Sequence, residues 1–254
     1  MKLSDIKAKK SLGQNFLVNQ GVLDKIIQTA EISEDDTIIE VGPGTGNLTR
    51  KIVEKVKKVV AIEKDIRLLN SLRTEFSDTG VHIMEGDALK LDPSSLGIRE
   101  GSYKIVANIP YYITSNFLRI VFEKWPRPKM IVLMVQKEVA RRIIAEKGNM
   151  NLLALSVQLY SDPEIIMNVS KGSFRPSPKV DSAVIKLIPN PKIDKEAIKK
   201  ILELAKKAFA GKRKQLKNTL GDLDLKNLDI SPETRPEELG LNDWLKIGKD
   251  TKII

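Results

Sequence analysis

The chain has 254 residues, 41% of them hydrophobic, enough for one α/β domain of ordinary size with a small appendage. It contains no cysteine, which excludes disulfides, thiolate metal sites and cysteine nucleophiles. The net charge of +10 is concentrated: residues 171–220 hold fourteen Lys/Arg against four Asp/Glu, and an excess confined to one stretch favours a phosphate-rich partner over mere solubility.

Lys2, Lys7, Lys9 and Lys10 open the chain with no apolar run behind them, so no signal peptide is expected. No stretch approaches the roughly eighteen apolar residues of a membrane span. The expectation is a soluble cytoplasmic protein. Residues 9–17, Lys-Lys-Ser-Leu-Gly-Gln-Asn-Phe-Leu, are too polar for a strand and have no period. They read as a frayed terminus, although Phe16 and Leu17 would be wasted in solvent. Val22, Leu23, Ile26 and Ile27 then fall at helical spacing, with Asn19 as the cap.

Ile38 to Val41 is a short apolar strand interrupted only by Glu40, and Gly42, Gly44 and Gly46 follow it at alternate positions. Apolar residues at 48, 52, 53 and 56 mark the next helix. Strand, glycine turn and helix form the first half of a nucleotide-binding βαβ unit. Val59 to Ile62 is the second strand, and Glu63 at its end can accept both ribose hydroxyls of a nucleoside ligand. The G-x-G-x-G spacing misses the dinucleotide pattern, and no Lys-Ser/Thr follows, which excludes a P-loop. Glu40 would repel a pyrophosphate but suits an ammonium or sulfonium. These residues point to S-adenosylmethionine rather than NAD.

Ile66, Leu68, Leu69 and Leu72 mark a helix, and Val81 to Met84 a strand. His82, the sole histidine, is expected to pack within that strand, so acid–base chemistry through imidazole is not expected. Asp87 after it either caps the next turn or accepts from an adenine amine. Residues 103–107 form another strand, which delivers Asn108-Ile109-Pro110-Tyr111-Tyr112. An aromatic amine is a poor nucleophile because its lone pair is delocalised into the ring. Hydrogen bonds to the Asn108 carbonyl and a nearby backbone carbonyl would favour a more tetrahedral nitrogen, with Tyr111 stacked on the base. Such catalysis is positioning and electrostatics without a covalent intermediate.

A helix over 113–122, a continuously apolar strand over 130–135, a basic amphipathic helix from Lys137, a helix over 152–160 and a strand over 164–169 follow. Phe174, in the stiff loop 174–180, is either an anchor into the core or a second stacking surface. Ser182 to Ile188 alternates like a strand. Pro189-Asn190-Pro191 marks a boundary between domains 1–189 and 190–254. Beyond it, Ile198, Ile201, Leu202, Ala205, Ala208 and Phe209 share a helical face, and two short helices are expected within 231–247, with Pro236 opening the second.

Together, the Lys10–Leu17 run, the glycine turn, Glu63, Gly86-Asp87-Ala88, Asn108 to Tyr112, residues 174–182 and Trp244 resemble the KsgA family of ribosomal RNA adenine dimethyltransferases nearly end to end. The resemblance implies a class I, Rossmann-like α/β methyltransferase with a seven-stranded, mostly parallel sheet and a small all-helical C-terminal domain. It implies N6,N6-dimethylation of two adjacent adenosines near the 3′ end of small-subunit rRNA, coupled to subunit biogenesis. Asn15, Leu17, Gly42, Gly44, Glu63, Asp87 and Asn108 would contact S-adenosylmethionine. Asn108, Pro110, Tyr111 and Phe174 would form the catalytic set.

The basic cluster Lys212, Arg213, Lys214 and Lys217 would touch rRNA in the small subunit or its precursor. A monomer without metal or membrane attachment is expected. Two departures stand out: Asn151-Leu152-Leu153-Ala154 occupies a shortened loop, and the basic run after Phe209 is thinned. The rival readings are an Erm-type enzyme acting on large-subunit RNA and a non-catalytic assembly factor. Intact Glu63, Asp87 and Asn108 argue against the latter, and the lack of cysteine excludes cytosine C5 methylation.

Overall fold

The computed structural model describes residues 6–211, 214–221 and 223–249. The strands are β1 (Phe16–Leu17), β2 (Thr37–Val41), β3 (Lys58–Glu63), β4 (Val81–Glu85), β5 (Tyr103–Asn108), β6 (Met130–Gln136), β7 (Ser161–Val169), β8 (Phe174–Arg175) and β9 (Ser182–Pro189). Seven of them form one sheet in the order β4-β3-β2-β5-β6-β9-β7. Neighbours from β4 to β6 run parallel, and β9 runs antiparallel to β6. β5 and β6 are buried almost throughout, as the apolar run of β6 requires for a strand covered on both faces, and the one charge inside β5, Lys104, pairs with Asp36 at 2.8 Å.

The helices are α1 (Gln20–Ala30), α2 (Asn47–Val53), α3 (Ile66–Glu75), α4 (Thr114–Lys124), α5 (Lys137–Ile143), α6 (Leu152–Gln158), α7 (Lys195–Ala210) and α8 (Leu241–Lys249). Asn19 caps α1 as its chemistry dictates, its Oδ1 accepting from the Val22 amide at 3.2 Å. From β2 the chain builds outward to β3 and β4 on one side, then returns to lay β5 against the other side of β2. That reversal opens a crevice at the carboxyl ends of β2 and β5.

Three local expectations change. The polar run before residue 17 is not frayed: Lys10–Leu12 forms a 3-10 turn, and β1 pairs antiparallel with β8. Phe16 and Leu17 thereby find the backbone partners that a polar sequence context concealed. His82 is exposed rather than packed, because β4 is the last strand of the sheet and only Ile83 in it is buried. Pro236 opens a 3-10 turn, and the helix that follows starts at Leu241.

The chain divides into two compact units, Met1–Ala140 with Glu164–Pro189, and Arg141–Pro163 with Asn190–Ile254. Residues 141–163, placed in the first domain by the sequence reading, thus group with the C-terminal residues. The reason lies in the hydrogen bonds. The carbonyls of Leu159 and Tyr160 accept from the amides of Lys192 and Asn190 at 3.0 and 2.8 Å, and Lys192 pairs with Asp162 at 2.5 Å. The unusual Asn151 is the cap of α6, accepting from the Ala154 amide at 3.1 Å. In the same unit α7 buries Ile198, Ile201, Leu202, Ala205 and Ala208, and the Trp244 ring of α8 stacks on Phe209 with centroids 6.0 Å apart.

Candidate active site

Within the first unit a cleft of about 1030 Å³, counting its open mouth, lies over the ends of β2, β3 and β5. Five chain segments build it: Leu12–Leu17, the glycine turn after β2, the end of β3 at Glu63, the turn at Asp87 after β4, and Asn108–Ile113. The turn leaves β2 through Gly42, whose amide donates to the Ile62 carbonyl at 2.9 Å. Gly44 sits at φ +58°, and a Cβ there would lie 2.9 Å from the Phe16 ring. A side chain at 44 would therefore be strained and would press on β1, so the cradle needs glycine.

Glu63 is buried at the end of β3, and the glycine turn is tied to it. Its Oε2 accepts from the Gly44 amide at 3.1 Å and its Oε1 from the Asp65 amide at 2.7 Å. Burial raises its pKa against these hydrogen bonds. Glu40 is 1% exposed, and its Oε2 accepts from the Thr49 hydroxyl at 2.7 Å. Desolvation pushes its carboxyl up to about 8, with the Glu63 charge adding to the effect. Asp87 caps the turn that follows β4 and also lines the cleft. Its Oδ1 accepts from the Leu89 amide at 3.0 Å, while the carboxylate lines the cleft and pairs with Lys64 at 2.8 Å. Burial works to raise its pKa, but the Lys64 bond leads the effects that hold it below the usual value.

Asn108 at the end of β5 donates through Nδ2 to the Asn15 carbonyl at 3.1 Å. Its Oδ1 is left as an acceptor at the cleft. Asn15 donates to the Gly13 carbonyl at 3.2 Å, and the Leu17 carbonyl accepts from Asn47 at 2.8 Å, so the N-terminal segment is stitched to the glycine turn. Pro110 leads into a 3-10 turn over Tyr111–Ile113, and its carbonyl accepts from the Ile113 amide at 3.1 Å. Half-buried Tyr111 is fixed by a 2.6 Å hydrogen bond between its hydroxyl and Ser182 at the start of β9. Burial raises that phenol's pKa, and Ser182 works against it.

The expected residues Asn15, Leu17, Gly42, Gly44, Glu63, Asp87, Asn108, Pro110 and Tyr111 all line this cleft. Phe174 does not: its ring is 0% exposed within an apolar cluster containing Leu17, Leu23 and Val184. Its place opposite Leu17 in the β1–β8 pair makes it a buried anchor, with no face open for a base. Lys212 and Arg213 lie outside the described residues. Lys214 and Lys217 are exposed, and Lys217 stands 3.5 Å from Glu233.

The sequence reading missed Thr49, although a threonine on the inward face shared by Ile52 and Val53 was a legible signal. It also missed Gln14, which donates to Asp65 at 2.9 Å and whose partner no local pattern reveals. Among the described residues no group of three or more His, Cys, Asp or Glu is placed to hold a metal ion.

The sheet order, its antiparallel closing strand and an acid-lined crevice at the switch point define a Rossmann-like methyltransferase. Solved structures agree in fold. A dimethyladenosine transferase from Plasmodium falciparum is 32% identical with a TM-score of 0.75, covering 91% of this chain and 95% of that one. The 23S rRNA methyltransferase ErmE is 26% identical with a TM-score of 0.76, covering 92% and 98%. Narrowing the class, the model of the ribosomal RNA adenine dimethylase family matches residues 5–246, and the chain belongs to that family. The ribosomal RNA small subunit methyltransferase A of Dehalococcoides mccartyi is 39% identical over 95% of this chain and 88% of its own length. S-adenosylmethionine, the cofactor of such enzymes, fits the donor set here: three carboxyl groups and a glycine cradle, with Lys64 already paired to Asp87.

Proposed function

We propose that this protein uses S-adenosylmethionine to dimethylate N6 of adenosine in small-subunit ribosomal RNA. The target is two adjacent adenosines near the 3′ end, in the small subunit or its precursor, modified in the cytoplasm by a monomer. The observation that carries this reading is the Asn108 carbonyl left as an acceptor beside Tyr111, in the same cleft as the glycine cradle.

When bound, S-adenosylmethionine supplies an electrophilic methyl group. Glu63 would accept from the ribose hydroxyls and Asp87 from the adenine amine of the cofactor. Asn15 and Leu17 would close over it, with Gly42 and Gly44 giving the backbone room. On the substrate side, Asn108 Oδ1 would accept one hydrogen of the target amine, and a backbone carbonyl of the Asn108–Pro110 run another. Holding both hydrogens turns the nitrogen lone pair out of conjugation, and the Tyr111 ring supports the base. Phe174 acts at one remove, by fixing the strand that carries Leu17. Lys212, Arg213, Lys214 and Lys217 would engage RNA phosphates in the domain after residue 189.

The overlap with ErmE supports a second reading, methylation of large-subunit RNA. Transfer of labelled methyl groups to unmodified small subunits, large subunits and free RNA, with the nucleosides identified, separates the two. Dimethyladenosine in small subunits alone is the expected result. Label confined to large subunits would replace the first reading with the second.

A further inference from the structure

Among the described residues, the large hydrophobic side chains left exposed are five aliphatics and one aromatic, Tyr112. Tyr112 is 63% exposed and lines the cleft that holds Asn108. Its backbone is fixed on both sides, by the Tyr111 hydroxyl on Ser182 at 2.6 Å and by the Ile113 amide on the Pro110 carbonyl at 3.1 Å. Its ring has a floor. Gly13 adopts φ +62°, and a Cβ there would stand 3.1 Å from Tyr112 Cδ1 and 3.3 Å from Cε1. The ring thus lies against bare backbone on its inner side while its remainder faces solvent.

Lys64 lines the same cleft, its ammonium paired with the Asp87 carboxylate at 2.8 Å. A supported, solvent-facing aromatic ring on the wall of a cleft is a surface on which a base of single-stranded nucleic acid stacks. A base whose amine must reach Asn108 has to leave its stack, which strips its neighbour of one stacking partner. We propose that Tyr112 is a stacking platform for the nucleobase adjacent to the target adenosine in the RNA strand. The inference rests on the function proposed above and assigns its substrate site a second base contact.

The test uses reconstituted small subunits carrying 2-aminopurine immediately 5′ or immediately 3′ of the pair of target adenosines, so that each target has one probe as its neighbour. The full-length protein is added with S-adenosylhomocysteine to block turnover. The wild type and Tyr112→Phe should quench one of the two probes severalfold, whereas Tyr112→Leu and Tyr112→Ala should not. The KM for subunits should rise roughly tenfold in Tyr112→Ala, the scale of one lost base stack. An abasic residue at the quenched position should produce the same rise, and combining it with Tyr112→Ala should add nothing. Additive losses, or equal quenching by the leucine variant, would overturn the proposal. Methyl transfer by the wild type without quenching would remove the platform and leave the proposed reaction standing, whereas no transfer at all would remove that reaction first.

Discussion

Asn108 Nδ2 donates to the backbone carbonyl of Asn15, 93 residues away in sequence, at 3.1 Å. This one bond engages the amide's donor end with the N-terminal segment and leaves its carbonyl oxygen without a protein donor among the described residues, on a residue that lines the cleft. Asn108→Ala should fold and bind RNA yet transfer methyl groups roughly a hundredfold more slowly, the scale of losing one preorganised polar group. Single-turnover assays at saturating cofactor isolate the chemical step, with a thermal melt to verify folding. Near-normal turnover would leave Asn108 as a tether for residue 15.

Glu63→Ala removes the acceptor of the Gly44 amide as well as the carboxylate proposed to bind the ribose hydroxyls. Affinity for S-adenosylmethionine should fall by at least ~1.5 kcal/mol, the scale of a charge-assisted hydrogen bond. Calorimetric titration measures it, and unchanged affinity would take Glu63 out of the cofactor site.

Glu40 gives a pH signature. Its carboxyl is raised from 4.5 to about 8 in the folded protein. As pH rises through that window the unfolded chain releases this proton while the folded chain keeps it, so Glu40 lowers stability progressively up to about 8. Glu40→Gln keeps an acceptor for Thr49 and cannot ionise. Melting temperatures followed from acid to mildly alkaline pH should therefore decline less in the variant than in the wild type. Parallel curves would mean that Glu40 is already ionised in the folded protein.

Replacing Lys212, Arg213, Lys214 and Lys217 together by Ala should weaken RNA binding and flatten its salt dependence by about 0.7 to 0.9 in log–log slope per lost phosphate contact. Cofactor affinity should hold. An unaltered slope in filter-binding titrations would make the cluster a solvated face.

Much of this protein is set by local chemistry that a linear reading can follow. Apolar runs such as 130–135 can only be covered strands, and Gly42 and Gly44 announce a backbone turn that no side chain tolerates. Glu63, Asp87 and Asn108 each stand where a strand ends, so their gathering follows once those strands are parallel neighbours or lie across the switch point. The tertiary structure decided what depends on partners distant in sequence. The polar run 9–17 becomes ordered because Phe174 and Arg175 supply β8. Phe174 is an anchor because Leu17 lies opposite it, and no property of residues 174–180 distinguishes that from a stacking face. Residues 141–163 join the second unit through hydrogen bonds to Asn190, between the two prolines that mark the boundary, and to Lys192 just after them. Backbone pairing and burial are long-range terms, and a local pattern carries no information about which surface arrives to meet it.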